Sequence, residues 1–182
     1  TVTYYGKRHL TTGNKEVKSP ADMAGFKLRV PPVDVFRAMA EAWGARPTPI
    51  AFPELYLSLS QGAVDGQENP LPNIFTLKLY EVQKYVMMTN HMQSVLAVFI
   101  NESVWQELSE ENRAKITEAL DRKAAESLVW AEESEGALVD ELTTAGMTFT
   151  TAETGLDIDA FREKVLAQIN ADFPQYGPHI EQ

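Results

Sequence analysis

Apolar residues along this chain switch repeatedly between an alternating and a helical rhythm, and the order of the switches predicts an α/β sheet. Phe26-Lys-Leu-Arg-Val30 alternates like a strand and is broken by Pro31-Pro32. Val35, Phe36, Met39, Ala40 and Trp43 then recur at helical spacing up to a stop at Gly44. Thr48 to Phe52 reads as a second strand. Pro53 to Gln61 is apolar-periodic and closes at Gly62, where glycine takes the left-handed conformation that ends a helix. Ala63-Val-Asp-Gly66 is then a short buried strand with Gln67, Glu68 and Asn69 at its carboxyl end, and Pro70 opens a helix over Leu71 to Val82. Strand and helix alternate, which predicts parallel pairing. Ligands of open α/β sheets collect at the carboxyl ends of strands, so Gln61 to Pro70 is the segment expected to line a site.

The alternation fails elsewhere. Tyr85 to Met88 and Ser94 to Ile100 are adjacent runs of strand formers. Upstream, Thr3 to Tyr5 predicts a strand, and Gly6 to Lys18 a polar loop holding Lys7, Arg8 and His9. Ser19-Pro-Ala-Asp22 has the spacing of a capping box, with a turn ending at Gly25. Ser103 to Leu108 predicts a short helix. Ser109 then caps a proline-free run from Glu110 to Ala145, which as a helix would be on the order of 50 Å long. That exceeds a small lobe, so the helix either kinks near Gly136 or crosses between two lobes, and crossing is the preferred reading. Met147 to Thr150 predicts a strand and Ile158 to Phe173 a last helix.

Composition narrows the function classes. With 182 residues and 44% of them hydrophobic, the chain can bury a core of one domain or one and a half. A net charge of −10, with no basic run longer than two, argues against a nucleic-acid partner. The absence of cysteine removes disulfides, thiolate metal sites and cysteine nucleophiles. The longest wholly apolar run, Val95 to Ile100, is far shorter than the roughly 20 residues of a membrane span, so a soluble chain is expected. The start at Thr1, with neither Met nor an apolar leader, predicts that a targeting segment or preceding domain belongs outside this sequence.

The chemistry-bearing motifs with fixed spacing are missing: no P-loop, no Gly-x-Ser-x-Gly, no His-Glu-x-x-His. The histidines His9, His91 and His179 are scattered and read as surface or loop residues. No metal cluster or cofactor motif is visible. Asp65 and Glu68 stand three apart at a strand end and are weak candidates for acid/base work. Arg29 interrupts an apolar strand and has two readings, a solvent-facing residue or a guanidinium fork for a carboxylate. Asn69 is equally a turn residue before proline or an amide for the same carboxylate. Phe52 reads as core or as a ring against the apolar face of a ligand.

Phe26-Lys-Leu-Arg-Val-Pro31, Ala45-Arg-Pro-Thr-Pro-Ile-Ala-Phe-Pro-Glu54 and Gln61 to Pro70 together resemble the DctP family, the solute-binding proteins of tripartite ATP-independent periplasmic (TRAP) transporters. The likeness continues through Tyr80 to Tyr85, Thr89-Asn-His91 and Trp105 to Leu108, and fades past about residue 150. It implies a periplasmic-binding-protein-like α/β fold of type II character, of which this chain is similar to the C-terminal three-fifths. Residues 1–93 and 132–182 would form the second lobe, and 94–131 would return to a first lobe whose larger part lies outside the sequence. The resemblance makes Arg29 the carboxylate partner, Asn69 a hydrogen-bond partner of the same group, Arg8 a second cation facing the ligand and Phe52 its apolar wall. It implies a non-catalytic role with no cofactor, a periplasmic location, a small organic acid as ligand and TRAP membrane subunits as partners. Pro32 stands where sialic-acid binders of the family have an asparagine, which points to uronates, aldonates or other C4 to C6 carboxylates. The rival reading is an α/β enzyme domain in which Asp65, Glu68 or His91 acts on a carboxylated substrate.

Overall fold

The computed structural model describes residues 1–176, so His179 and the final residues lie outside the description. A six-stranded mixed sheet runs in the order β3-β2-β4-β1-β5-β6, with β1 Val2–Thr12, β2 Lys27–Val30, β3 Arg46–Pro49, β4 Gly66–Pro70, β5 Tyr85–Ala97 and β6 Thr148–Thr150. Helices α1 Asp34–Ala42, α2 Leu55–Ser60, α3 Leu71–Thr76, α4 Glu102–Glu107, α5 Glu110–Thr144 and α6 Ile158–Asp172 join or flank them. β2 is parallel to β3 and β4, as alternation predicts, and β5 is parallel to β6. β1 is the exception, lying antiparallel to β4 and β5 at the centre of the sheet.

Two cores follow from the two-residue period of the strands. Leu28, Val30 and Met87 face a cluster with Met39 and Trp43 of the α1 region and Phe161 of α6. Val86, one residue before Met87, faces the opposite cluster with Leu55, Ile74 and Leu142 of α2, α3 and α5. This sandwich leaves Arg29, between Leu28 and Val30, projecting to the α2/α3 side.

Several boundaries differ from the sequence pattern. The expected polar loop after Tyr5 is strand as far as Thr12, because its polar side chains find partners across the sheet rather than in water. The short strand expected over Ala63 to Gly66 begins at Gly66, so Gln67, Glu68 and Asn69 are strand residues, all buried. Leu71 to Val82 is not one helix. It stops at Thr76, and Lys78 takes φ 53° before a single turn at Leu79–Glu81. The two runs around Tyr85 and Val95 are one continuous strand.

α5 runs unbroken for 35 residues and through Gly136. Ser109 caps it by accepting from the Asn112 N–H. Its last turns pack on the sheet through Leu142, whereas no residue from 110 to 131 is buried. The outer halves of β1 and β5, paired from Val2–Ala97 to Lys7–Gln93, lie along this exposed stretch. Thr1 Oγ1 donates to Asp121 across that contact at 3.0 Å.

Candidate functional site

The sheet brings Arg8, Arg29, Glu68, Asn69 and His91 together. Parallel pairing of Leu28 with Gly66 sets Arg29 beside the polar strand β4, and antiparallel pairing of Arg8 with Pro70 brings Arg8 to it from the other side. Glu68 lies buried against Arg8. Arg8 Nε donates to Glu68 Oε2, and Nη2 donates to Glu68 Oε1 at 2.8 Å, to the Glu68 carbonyl at 2.9 Å and to Asn69 Oδ1 at 3.2 Å. The Arg8 guanidinium also lies over the Phe36 ring, 5.0 Å from its centroid.

His91 completes the cluster. Between the pairs Arg8–Met92 and Leu10–Met87, β1 advances two residues while β5 advances five, so β5 bulges inward there. Asn90 takes φ 43° in this bulge. The His91 side chain, 1% exposed, sits with Nε2 3.2 Å from Glu68 Oε2, Nδ1 2.8 Å from Thr89 Oγ1, and its ring edge-on to Trp43. With Glu68 ionised, Nε2 is the donor in that contact. The expectation that His9 and His91 are surface or loop residues is therefore corrected. His9 is a buried strand residue, and His91 is a half-buried strand residue whose side chain is covered; His9 meets Asn90 and His91 meets Glu68 from distant segments.

Burial pulls the Glu68 carboxyl upward, but hydrogen bonds and charge from His91 and Arg8 outweigh it, and the group titrates below its ordinary value. His9 responds in the opposite sense. Burial, with His91 and Lys7 nearby, lowers it to about 3, so it is neutral.

Arg29 is 1% exposed and is held by a backbone carbonyl. Its Nε and Nη2 donate to Ile50 O at 2.9 and 2.7 Å, and Nη1 is buried with no partner among the described residues. Burial lowers its pKa, Glu68 raises it and Arg8 lowers it, which ties the three groups into one field. Asn69 is nearly as restricted: Oδ1 accepts from Arg8 and from Asn73 Nδ2 at 3.1 Å, and Nδ2 donates to Gln67 Oε1 at 2.5 Å.

Two predicted residues sit apart from this cluster. Phe52 opens the turn Phe52–Glu54 rather than ending a strand, and is 41% exposed, so it is not core. Asp65 is committed to the backbone, accepting from the Lys27 N–H at 2.8 Å. A cavity of about 170 Å³ lies behind the cluster, between β1, the start of α3 and α5; Asn73 walls it, but Arg8, Arg29 and Asn69 do not. Among the described residues, no group of three or more His, Asp or Glu could hold a metal ion, and no helix is long and apolar enough to cross a membrane.

The chain is similar to known proteins over nearly its whole length. The family model for bacterial extracellular solute-binding protein, family 7 (DctP), matches residues 1–173. The sialic acid-binding periplasmic protein SiaP of Vibrio cholerae serotype O1 is 40% identical over 161 residues, covering 88% of this chain and 49% of that protein. A TRAP periplasmic solute-binding protein from Roseobacter denitrificans, solved with bound L-galactonate, superimposes with TM-score 0.91 at 35% identity, covering 100% of this chain and 59% of that one. Another from Chromohalobacter salexigens, with bound D-glucuronate, gives TM-score 0.88 at 30% identity over 98% of this chain and 59% of that one. The chain thus spans about half the length of the curated relatives it matches.

Proposed function

The chain belongs to the DctP family, bacterial extracellular solute-binding protein family 7, and on that footing we propose that it is the binding component of a TRAP transporter, taking a sugar acid or another small carboxylate. The observation that carries the reading is the one-sidedness of the open hydrogen-bonding capacity. Arg29 Nη1 is a buried donor without a partner, and Asn69 has both acceptor positions filled and one N–H to spare. Buried polar groups are nearly always paired, so a pair of open donors calls for an acceptor from outside the chain. A carboxylate meets that need.

Ile50 O holds Arg29 by Nε and one N–H of Nη2, which leaves Nη1 and the second Nη2 N–H as a fork that matches two carboxylate oxygens. Asn69 adds its remaining N–H. Arg8 contributes charge, while Glu68 and His91 hold it in place. Phe52, exposed beyond β3, forms an apolar wall. Pro32 has no side-chain donor, so uronates and aldonates are expected to bind in preference to sialic acid.

The same reading assigns residues 1–93 and 132–182 to one lobe and 94–131 to another that closes on the acid by a hinge motion. The closed form would be read in the periplasm by the transporter's membrane subunits. Acid/base catalysis fits the groups poorly. Both Glu68 oxygens are taken by Arg8 and His91, and a carboxyl held below its ordinary pKa is a weak base.

Calorimetry on the full-length protein with L-galactonate and D-glucuronate tests the site. Removing one partner of a buried charge pair costs about 3–5 kcal/mol, so Arg29→Ala should weaken binding by roughly two to three orders of magnitude. Unchanged affinity would overturn the role of Arg29, and turnover of either acid would overturn the binding-protein reading.

A further inference from the structure

Asn69 sits at the end of a buried hydrogen-bond relay whose direction is fixed from both sides. At the far end, Gln83 Nε2 donates to the Val82 carbonyl at 2.9 Å, and a backbone carbonyl can only accept. That turns Gln83 Oε1 toward Thr11, whose hydroxyl donates to it at 3.0 Å. Thr11 Oγ1, its single proton spent, accepts from Gln67 Nε2 at 2.9 Å. Gln67 Oε1 is therefore the atom that faces Asn69, and it accepts from Nδ2 at 2.5 Å. At the near end, Arg8 can only donate, and it demands Oδ1 of Asn69. Asn73 Nδ2, which also donates to the Tyr5 hydroxyl oxygen, fills the other acceptor position of Oδ1.

The orientation of an amide is ambiguous when its neighbours can each donate or accept. Here no such freedom remains, because a carbonyl fixes one end and a guanidinium the other. Thr11, Gln67 and Gln83 are all buried, an expensive place for three polar side chains unless every valence is met.

Resting on the reading of this site as an acid-binding one, we infer that Thr11, Gln67 and Gln83 are positioning residues that lock the Asn69 amide so that its open valence is an N–H and never a carbonyl oxygen. The relay is then a specificity device. An N–H donates to a carboxylate oxygen, whereas a ligand amide in the same place would set its own N–H against the site's donors. A site with fixed hydrogen-bond polarity rejects the wrong partner more strongly than a site that can adapt.

The test uses Thr11→Val, which keeps the shape and removes the hydroxyl, and Thr11→Ser, which restores it, in the full-length protein. Side-chain amide resonances of Gln67 and Asn69, recorded without ligand, should shift or broaden in Thr11→Val and stay near wild type in Thr11→Ser. Calorimetry with D-glucuronate and D-glucuronamide should show the preference for the acid falling about fivefold in Thr11→Val, the worth of roughly one neutral hydrogen bond, and recovering in Thr11→Ser. A purely structural role would lower the melting temperature and leave that ratio alone. Gln83→Met, which breaks the relay at its last link, serves if Thr11→Val does not fold. Unchanged amide signals and an unchanged ratio in these variants, with Asn69→Ala still losing affinity, would overturn the relay and leave the acid site standing. If Asn69→Ala binds D-glucuronate like wild type, the acid-site reading falls, and the resonances alone decide whether the relay orients the amide.

Discussion

His9 accepts the Asn90 N–H at 3.3 Å and is buried in a strand next to Arg8, and its chemistry is that of a neutral ring under acid stress. Its pKa of about 3 lies below the ordinary 6.5, so between those values the unfolded chain binds a proton that the folded chain refuses. Stability should therefore fall as pH drops through that window, by about 1.4 kcal/mol for each pH unit crossed. Glu68 acts in the same direction at lower pH. Its folded pKa is depressed, so its contribution is complete above the ordinary carboxyl value and is lost as pH falls through the folded one. Urea unfolding at pH 7 and pH 5 checks the sign, and His9→Gln, which keeps an acceptor for Asn90, should flatten the slope; a slope unchanged in this variant would exclude His9 as the source. At this scale the sequence was partly legible. Arg29 and Asn69 were visible because a cation inside an apolar strand and an amide at a strand end are local anomalies. Thr11, Gln67, Gln83 and the burial of His91 were not, since their partners lie 23 to 72 residues apart along the chain or on the far side of a bulge.

β4 is the element on which the site depends, and Gly66 is its tightest point. A Cβ there would run into the backbone carbonyl of Thr11 and press on the Phe26 ring. Neither can retreat, as Thr11 is in the central strand. Gly66→Ala should thus destabilise the fold by about 1–3 kcal/mol or more, the usual range for overpacking, and should weaken acid binding by displacing Asn69. Thermal unfolding with parallel calorimetry measures both, and a melting temperature equal to wild type would contradict the close approach. The sequence pattern put this glycine at the end of a short strand, whereas it is the first residue of β4, and its closeness to β1 was not readable at all. Helix ends fared better. Ser109 and Gly62 act where local rules put them, because capping groups satisfy orphan backbone donors and acceptors within a few residues. The central antiparallel strand could not be read in that way, since its partners, β4 and β5, lie more than fifty residues away along the chain.

On the scale of the molecule, one end of the chain's surface is unlike the rest. Phe99 is 88% and Trp130 60% exposed, and a groove of about 610 Å³ runs between residues 98–105 and 116–121. Exposed apolar area of this kind marks a surface that is covered in the working protein. If residues 94–131 join another lobe, that lobe provides the cover. Iodide should then quench tryptophan fluorescence more strongly in the isolated 182-residue chain than in the full-length protein, with Trp43 silent in both. Equal quenching would argue that this face stays open. Hydrophobic period, proline and glycine punctuation and caps were enough to establish the α/β class, the long helix and the candidate cation and amide, because each depends on neighbours within one or two turns of chain. The direction of β1, the bulge that turns His91 onto Glu68, and the relay that orients Asn69 came only from the folded sheet. Each is a contact between segments far apart in sequence, and burial converts such contacts from alternatives into requirements.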